Sequence, residues 1–393
     1  MISDIVIMAG GFGERLWPAS SPEFPKQFMT VNGSLSFLQE SLKRAFSQNV
    51  PGKIIIVTRK DIEKECVSQC VHLAETLDSP ELLEKIVVLA EPSPKHTSAA
   101  CMSACAFIKL TESPSKKEHQ NTVLVLTSDH VIFPTDVFIS DCENAAKAAE
   151  NNHFVCFAIP PSEPATGYGY IKTGNPLFDS GEEANVFEIE NFKEKPDLKT
   201  AQSYLSEGNY KWNSGMFAFD CDFFIEQMKE LTNDVYKSFE PVLKGNPPAM
   251  KTMRGVLVLE KWQELEEAYK SVPPIAVDKS IAEKTKSAAA VKAHFNWTDV
   301  GSWDTFASLC ESGKNESEID SNQENNFSKK KVPVAEAESK RNFVYSDIPV
   351  ALCGVEDLIV VIKNGKALIM KKGNSALTRK AAEQIEQSKA ELS

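Results

Sequence analysis

Gly10, Gly11 and Gly13 sit just ahead of Arg15 and Lys26, and that set of residue types suits a polyphosphate. Glycines let the backbone bend tightly and present unobstructed N–H groups to an anion. Arg15 offers a planar fork to phosphate oxygens and Lys26 a compact point charge. The loop is a candidate triphosphate cradle; read singly, its glycines also fit a plain turn and its cations a solvated surface. It is not a Walker loop, because G-x-x-x-x-G-K-[ST] is missing, and Leu16 replaces the third glycine of a dinucleotide-binding loop.

Carboxylates supply a second chemistry. Asp129 lies in Thr127-Ser128-Asp129-His130 and Asp299 in Trp297-Thr298-Asp299-Val300-Gly301-Ser302-Trp303, each after an apolar run. Mg2+ takes one or two carboxylates together with phosphate oxygens and water, so two aspartates from distant segments make a candidate magnesium site. Asp299 also suits a helix N-cap. Glu194 and Lys195, in Phe192-Lys193-Glu194-Lys195-Pro196, and Asn213, in Lys211-Trp212-Asn213-Ser214-Gly215-Met216-Phe217, add a carboxylate, a cation and an amide. A polyhydroxyl ligand carrying a phosphate needs that mixture. In isolation Glu194 and Lys195 read as surface charges and Asn213 as a turn residue.

These residues need a scaffold. Asp4 to Met8, Ile54 to Thr58, Ile86 to Ala90, Val123 to Thr127 and Phe154 to Ile159 are short apolar runs, separated by amphipathic stretches such as Phe37 to Phe46 and Ser98 to Leu110. Alternation of this kind predicts an α/β fold with a parallel-rich sheet covered by helices. The glycine loop, Glu91-Pro92 and Thr127 to His130 each follow a predicted strand directly, which brings them to the carboxyl edge where such sheets bind ligands.

The string from Ala9 to Phe28, AGGFGERLWPASSPEFPKQF, resembles the signature of the sugar nucleotidyltransferases, in the version found in mannose-1-phosphate guanylyltransferases. Ser21 departs from it, standing where that family carries an arginine. S-D-H and D-V-G-S-W are similar to the family's metal-binding motifs, which implies Asp129 and Asp299 as Mg2+ ligands. E-K-P and W-N-S-G-M-F resemble its sugar-binding motifs, implying substrate contacts at Glu194, Lys195 and Asn213. Thr166-Gly167-Tyr168-Gly169-Tyr170-Ile171 resembles another, in which Gly169 lets the backbone reach the sugar; a glycine hairpin is the alternative. Glu91 to Ser98 aligns with the family's base-side segment, with Lys95 and His96 in place of arginine and asparagine. The alignment implies nucleotide contacts at Glu91 and Thr97, the latter also a candidate N-cap. Asp278 lies in a segment similar to S-I-D-x-A-I-M-E-K-T; it is a candidate to line the sugar site or to start a helix, and we prefer the helix start.

The resemblance implies a Rossmann-like, GT-A-like catalytic domain that transfers GMP from GTP to α-D-mannose 1-phosphate by direct displacement, with Arg15 and Lys26 steadying the departing pyrophosphate. The alternatives are a sugar-1-phosphate nucleotidyltransferase for another base or hexose, or a non-catalytic sensor of sugar nucleotides. We place the catalytic domain at 1–310 and a polar linker at 311–330. A small β-rich domain with a terminal helix follows at 331–393, with Asn364-Gly365 as a hairpin turn. The resemblance implies a left-handed β-helix there. No site motif lies beyond Cys310, so truncation there is expected to cost stability more than chemistry.

At 393 residues with 42% hydrophobic and 25% charged residues the chain can bury a large core. A net charge of -12 argues against a general nucleic-acid binder. No run of apolar residues is long enough for a bilayer span, so we expect no membrane partner and a cytoplasmic location. The nine scattered cysteines fit buried reduced thiols better than zinc or disulfides. A homodimer is a candidate assembly.

Overall fold

The computed structural model describes residues 1–11, 13–30, 35–111, 121–178, 185–312, 327–328 and 332–392. The chain runs through β1 (Asp4–Ala9), α1 (Phe37–Ser47), β2 (Ile54–Arg59), α2 (Glu63–Thr76), β3 (Ile86–Glu91), α3 (His96–Thr111), β4 (Thr122–Thr127), β5 (Val131–Phe133), α4 (Thr135–Glu150) and β6 (Phe154–Ile159). It continues through β7 (Tyr170–Pro176), β8 (Val186–Lys193), α5 (Leu198–Glu207), β9 (Tyr210–Asp220), α6 (Cys221–Leu231), α7 (Asn233–Lys244), β10 (Ala249–Met253), β11 (Val256–Lys261), α8 (Gln263–Ser271), β12 (Ala288–Lys292) and β13 (Asn296–Thr298). Two compact units emerge: Met1–Gly10 with Gln39–Trp297, and Gly11–Leu38 with Thr298–Ser393.

The first unit is built on one sheet of order β10-β11-β3-β2-β1-β4-β9-β6-β12-β8-β7. β11, β3, β2, β1 and β4 are parallel, and β9 runs antiparallel to both β4 and β6. Buried on both faces, the central strands are apolar almost without alternation, as in Ile54-Ile55-Ile56-Val57. α3 is buried along most of its length because Ala99, Ala100, Ala104 and Ala106 let it lie close to its neighbours. Parallel pairing puts the ends of β1, β3 and β4 on one edge, which is where Gly10, Glu91 and Asp129 follow.

In the second unit α9 (Trp303–Ser312) is followed by β14 (Phe327–Ser328), β15 (Val334–Ala337), β16 (Phe343–Ser346), β17 (Val350–Cys353), β18 (Leu358–Lys363), β19 (Lys366–Lys371) and α10 (Thr378–Leu392). β14, β16 and β18 stack in parallel, and so do β15 and β17. Contacts recur between residues 16 apart: Arg341 with Asp357, Leu358 N–H with Asn342 Oδ1, and Lys363 with Asp347. Asn342 is fully buried and also donates to the Val355 carbonyl at 3.0 Å. β18 and β19 close as a hairpin over Asn364-Gly365, both at positive φ. Trp303 and Phe306 of α9 pack on Tyr345 and Phe343, and the Asp304 carboxylate accepts from Gly373 N and Ser375 Oγ at 2.7 and 2.6 Å.

The boundary placed at 310 on composition is not where the contacts divide the chain, because Gly11–Leu38 and α9 join the C-terminal strands. The polar linker read at 311–330 is shorter than expected at both ends. α9 runs on to Ser312 and Phe327–Ser328 already pair as β14, while 313–326 and 329–331 lie outside the described residues. Eight of the nine cysteines are buried and Cys353 is exposed.

Candidate active site

In the second unit the glycine loop and Lys26 are built around each other. Gly13 has φ +66°, and a Cβ there would stand 2.3 Å from Lys26 Cβ, so only glycine allows the two segments to meet. The Gly13 carbonyl accepts from Ser20 Oγ at 2.7 Å, and Trp303 Nε1 donates to the Trp17 carbonyl at 2.8 Å. Arg15, in the short turn Glu14–Leu16, is exposed; Phe12 lies outside the described residues. Lys26 is 4% exposed, donates from Nζ to the backbone carbonyl of Asp299, and lies 5.1 Å from the centre of the Phe37 ring. It is therefore not a solvated surface charge. Ser21 Oγ accepts from Phe24 N at 3.1 Å, so it serves the local turn.

Asp299 is followed by a strained backbone. Val300 is fully buried at φ +46°, a conformation that a β-branched residue rarely adopts. The Thr298 hydroxyl accepts from Val300 N, and Asp299 Oδ1 accepts from Gly301 N at 3.0 Å. These bonds aim the carboxylate rather than cap α9, which begins later, at Trp303.

In the first unit the loop after β4 is pinned on every side. Ser128 N donates to the Met8 carbonyl, Ser41 Oγ to the Thr127 carbonyl and Arg44 Nη2 to the His130 carbonyl, at 3.2, 3.0 and 3.1 Å. Arg44 is buried, and loss of water pulls its pKa down to about 10. Trp297 Nε1 donates to His130 Nδ1 at 3.1 Å, which leaves the neutral imidazole's proton on Nε2, 3.8 Å from Asp129 Oδ1. The Trp297 ring meets Tyr168, which meets Trp212, so an aromatic wall runs from Asp129 toward Asn213.

Gly169, Glu194, Lys195 and Asn213 come together as the sequence implies. Asn213 N donates to the Gly169 carbonyl at 2.8 Å, and a Cβ on Gly169 would lie 2.5 Å from Glu194 Oε2, so glycine makes room for that carboxylate. Lys195 Nζ is 3.1 Å from Glu194 Oε1, and Glu283 Oε1 accepts from Glu194 N at 3.1 Å. Asp278 belongs to this cluster. It does start a helical turn, Asp278–Ala282, yet its Oδ1 accepts from Asn213 Nδ2 at 2.8 Å. Burial and the neighbouring Glu194 push its pKa up to about 6. The preferred reading as a helix start leaves out this contact, which fits the alternative that Asp278 lines the same cluster as Asn213.

Glu91, at the end of β3, is buried with Oε2 3.3 Å from where a Cβ on Gly10 would stand. Tyr269 of α8 donates to its Oε1 at 2.8 Å. Burial pushes the Glu91 pKa up to about 7, with the tyrosine bond opposing the rise. Glu91, Pro92, Ser93, Trp262 and Tyr269 help line a cavity of about 480 Å³. Thr97 is not an N-cap: α3 starts at His96, and the Thr97 hydroxyl accepts from Val277 N at 2.7 Å. Lys95 Nζ donates to the Val272 carbonyl at 3.0 Å, which ties the start of α3 to the chain leading into Asp278.

Among the described residues no three His, Cys, Asp or Glu side chains group as a ready-made metal centre. Mg2+ does not need one, since it binds through one or two carboxylates plus substrate phosphates. No helix of the described residues is long and apolar enough to cross a membrane.

A parallel-rich sheet with Gly10, Glu91 and Asp129 at its strand ends fits a nucleotidyl transferase, and the family model of that description matches residues 4–314. Mannose-1-phosphate guanylyltransferase of Escherichia coli strain K12 is 33% identical over 384 residues, 97% of this chain and 73% of the relative. Its namesake from Salmonella montevideo is 32% identical over 366 residues, covering 93% and 70%. A crystal structure described as mannose-1-phosphate geranyltransferase from Thermus thermophilus matches with TM-score 0.76 and 26% identity, over 98% of this chain and 100% of that one. The chain belongs to the mannose-1-phosphate guanylyltransferase family.

Proposed function

We propose that this protein transfers GMP from GTP to α-D-mannose 1-phosphate, forming GDP-mannose and pyrophosphate. A phosphate oxygen of the sugar phosphate forms a bond to the α-phosphorus of GTP, the bond from that phosphorus to the bridging oxygen breaks, and pyrophosphate leaves with the electron pair. A phosphate monoester is already an adequate nucleophile at neutral pH, so positioning and charge neutralisation carry the rate. The observation that carries the reading is the joining of Gly169, Glu194, Lys195, Asn213 and Asp278, which together offer acceptors, an amide and a cation to a sugar phosphate.

Gly10, Gly11 and Gly13 present backbone N–H groups to the triphosphate, and Arg15 and Lys26 neutralise the departing pyrophosphate. Glu91 and Thr97 serve the nucleotide, and Asn213, Glu194 and Lys195 the sugar phosphate. Asp129 and Asp299 hold a divalent cation, Mg2+, which when bound screens the phosphate charges and polarises the phosphorus centre. The same reading makes the parallel stack of β14, β16 and β18 part of a left-handed β-helix.

Pyrophosphate release tests the proposal. We expect release only when GTP and mannose 1-phosphate are both present, its loss on chelation with EDTA and its return with Mg2+. Release with GTP alone, or full activity in EDTA, contradicts it. A sensor that only binds sugar nucleotide would release none.

A further inference from the structure

We infer that Tyr269 is a positioning residue for nucleotide-base recognition, holding Glu91 so that its second carboxylate oxygen is presented beside Gly10. This role rests on the nucleotide contact proposed for Glu91 and extends it to a helix that no motif singles out.

The geometry is a short buried chain of polar atoms. Tyr269 is 2% exposed and Glu91 8%, and their oxygens are 2.8 Å apart. Tyr269 Oη is also 3.1 Å from Ser103 Oγ, and Ser103 Oγ donates to the Ala99 carbonyl at 2.8 Å. Each hydroxyl carries one proton. With Glu91 ionised, Tyr269 gives its proton to Glu91 and the serine proton serves only one of its two neighbours. With Glu91 protonated, all three contacts are filled: Glu91 donates to Tyr269, Tyr269 to Ser103 and Ser103 to Ala99. Burial pushes the Glu91 pKa up, toward the neutral acid, and the proton that Tyr269 donates to the ionised form opposes that rise.

Either way Oε1 is committed to Tyr269, so Oε2 is the oxygen turned to Gly10. A guanine edge presents N–H donors, and an ionised carboxylate accepts them better than a neutral acid. Nucleotide affinity therefore rises with pH as Glu91 loses its proton. Among the described residues the other titratable groups around Glu91 are Tyr269 and Cys101, both pushed upward by burial, with Lys60, Glu260, Lys261, Glu266 and Lys270 on the cavity wall. Both thiol and phenol stay neutral near pH 7, which leaves Glu91 as the group that titrates in the buried chain.

The test compares wild type, Tyr269→Phe and Glu91→Gln by GTP calorimetry and by steady-state kinetics from about pH 5.5 to about pH 8.5. Wild type is expected to gain kcat/KM for GTP through a break near neutrality. Tyr269→Phe keeps the ring in the core but removes the donor that opposes the rise in the Glu91 pKa. Its KM for GTP should increase at least about fivefold with kcat within about twofold, and its break should move to higher pH. Glu91→Gln cannot ionise, so its profile should lose the break. A folded Tyr269→Phe with wild-type KM and an unmoved profile, or a Glu91→Gln that keeps the break, overturns the inference. In either of those cases GDP-mannose synthesis by wild type still stands; absence of that synthesis in wild type fails the proposed function itself.

Discussion

Lys26 shows how much one side chain is asked to do. Its Cβ occupies the space that Gly13 leaves open, and its amine reaches the carbonyl of Asp299. Lys26→Ala should lower kcat at least about tenfold, equivalent to roughly 1.4 kcal/mol of transition-state stabilisation. Circular dichroism should show the fold retained, and wild-type turnover would rule out the assigned role. Asn213 and Asp278 form a pair whose loss should fall on the sugar: Asp278→Asn is expected to raise KM for mannose 1-phosphate with little change in KM for GTP. Equal changes in both constants would place Asp278 outside the sugar site.

Glu91 also links the site to stability. Its folded pKa, about 7, lies above the unfolded value, so the folded state holds the proton more tightly. The contribution is complete below the unfolded pKa, near pH 4.5, and is lost as pH rises through about 7, amounting to about 1–3 kcal/mol. Glu91→Gln escapes that loss. Its urea midpoint relative to wild type should therefore rise between about pH 5 and about pH 8, and a constant difference would contradict the buried acid.

At the scale of elements, the sequence carried the central sheet well and the C-terminal unit poorly. Phe154 to Ile159 matches β6 residue for residue, and the runs at Ile54, Ile86 and Val123 match β2, β3 and β4 to within a residue at either end. Strands buried on both faces are written as uninterrupted apolar runs, which is a local signal. The 16-residue repeat of the C-terminal strands is not local, because each strand is only two to six residues long and its partner lies a full turn of the coil away. The same limit hid Tyr269, whose partner Glu91 is far along the chain, and left Asp278 divided between a helix start and the cluster that holds Asn213. Val300 was hidden differently, since nothing in D-V-G-S-W announces that the valine takes the left-handed conformation. Asn342 ties the start of β16 to Val355 and Leu358, ahead of and within β18, from a fully buried position. Asn342→Ala should destabilise the second unit by about 1–3 kcal/mol, seen as a lower urea midpoint. No shift would mean that the two bonds add nothing to the coil.

For the whole molecule the division into units changes one expectation. Gly11–Leu38, with Arg15 and Lys26, group with Thr298–Ser393 and not with the large sheet. A chain cut after Cys310 loses the cover of Trp303 and Phe306 by Tyr345 and Phe343, in the unit that holds Gly13, Arg15 and Lys26. Truncation should therefore lower both melting temperature and turnover, where the sequence alone pointed to stability first. A truncated chain with wild-type kcat would show that the loop keeps its form without the coil. Guanylyl transfer to mannose 1-phosphate stands or falls on product formation from GTP, ATP, UTP and dTTP with that one sugar phosphate. GDP-mannose and stoichiometric pyrophosphate are expected, with kcat/KM for GTP at least about a hundredfold above the other three nucleotides. Equal or better use of another nucleotide, or no product from GTP, would contradict it.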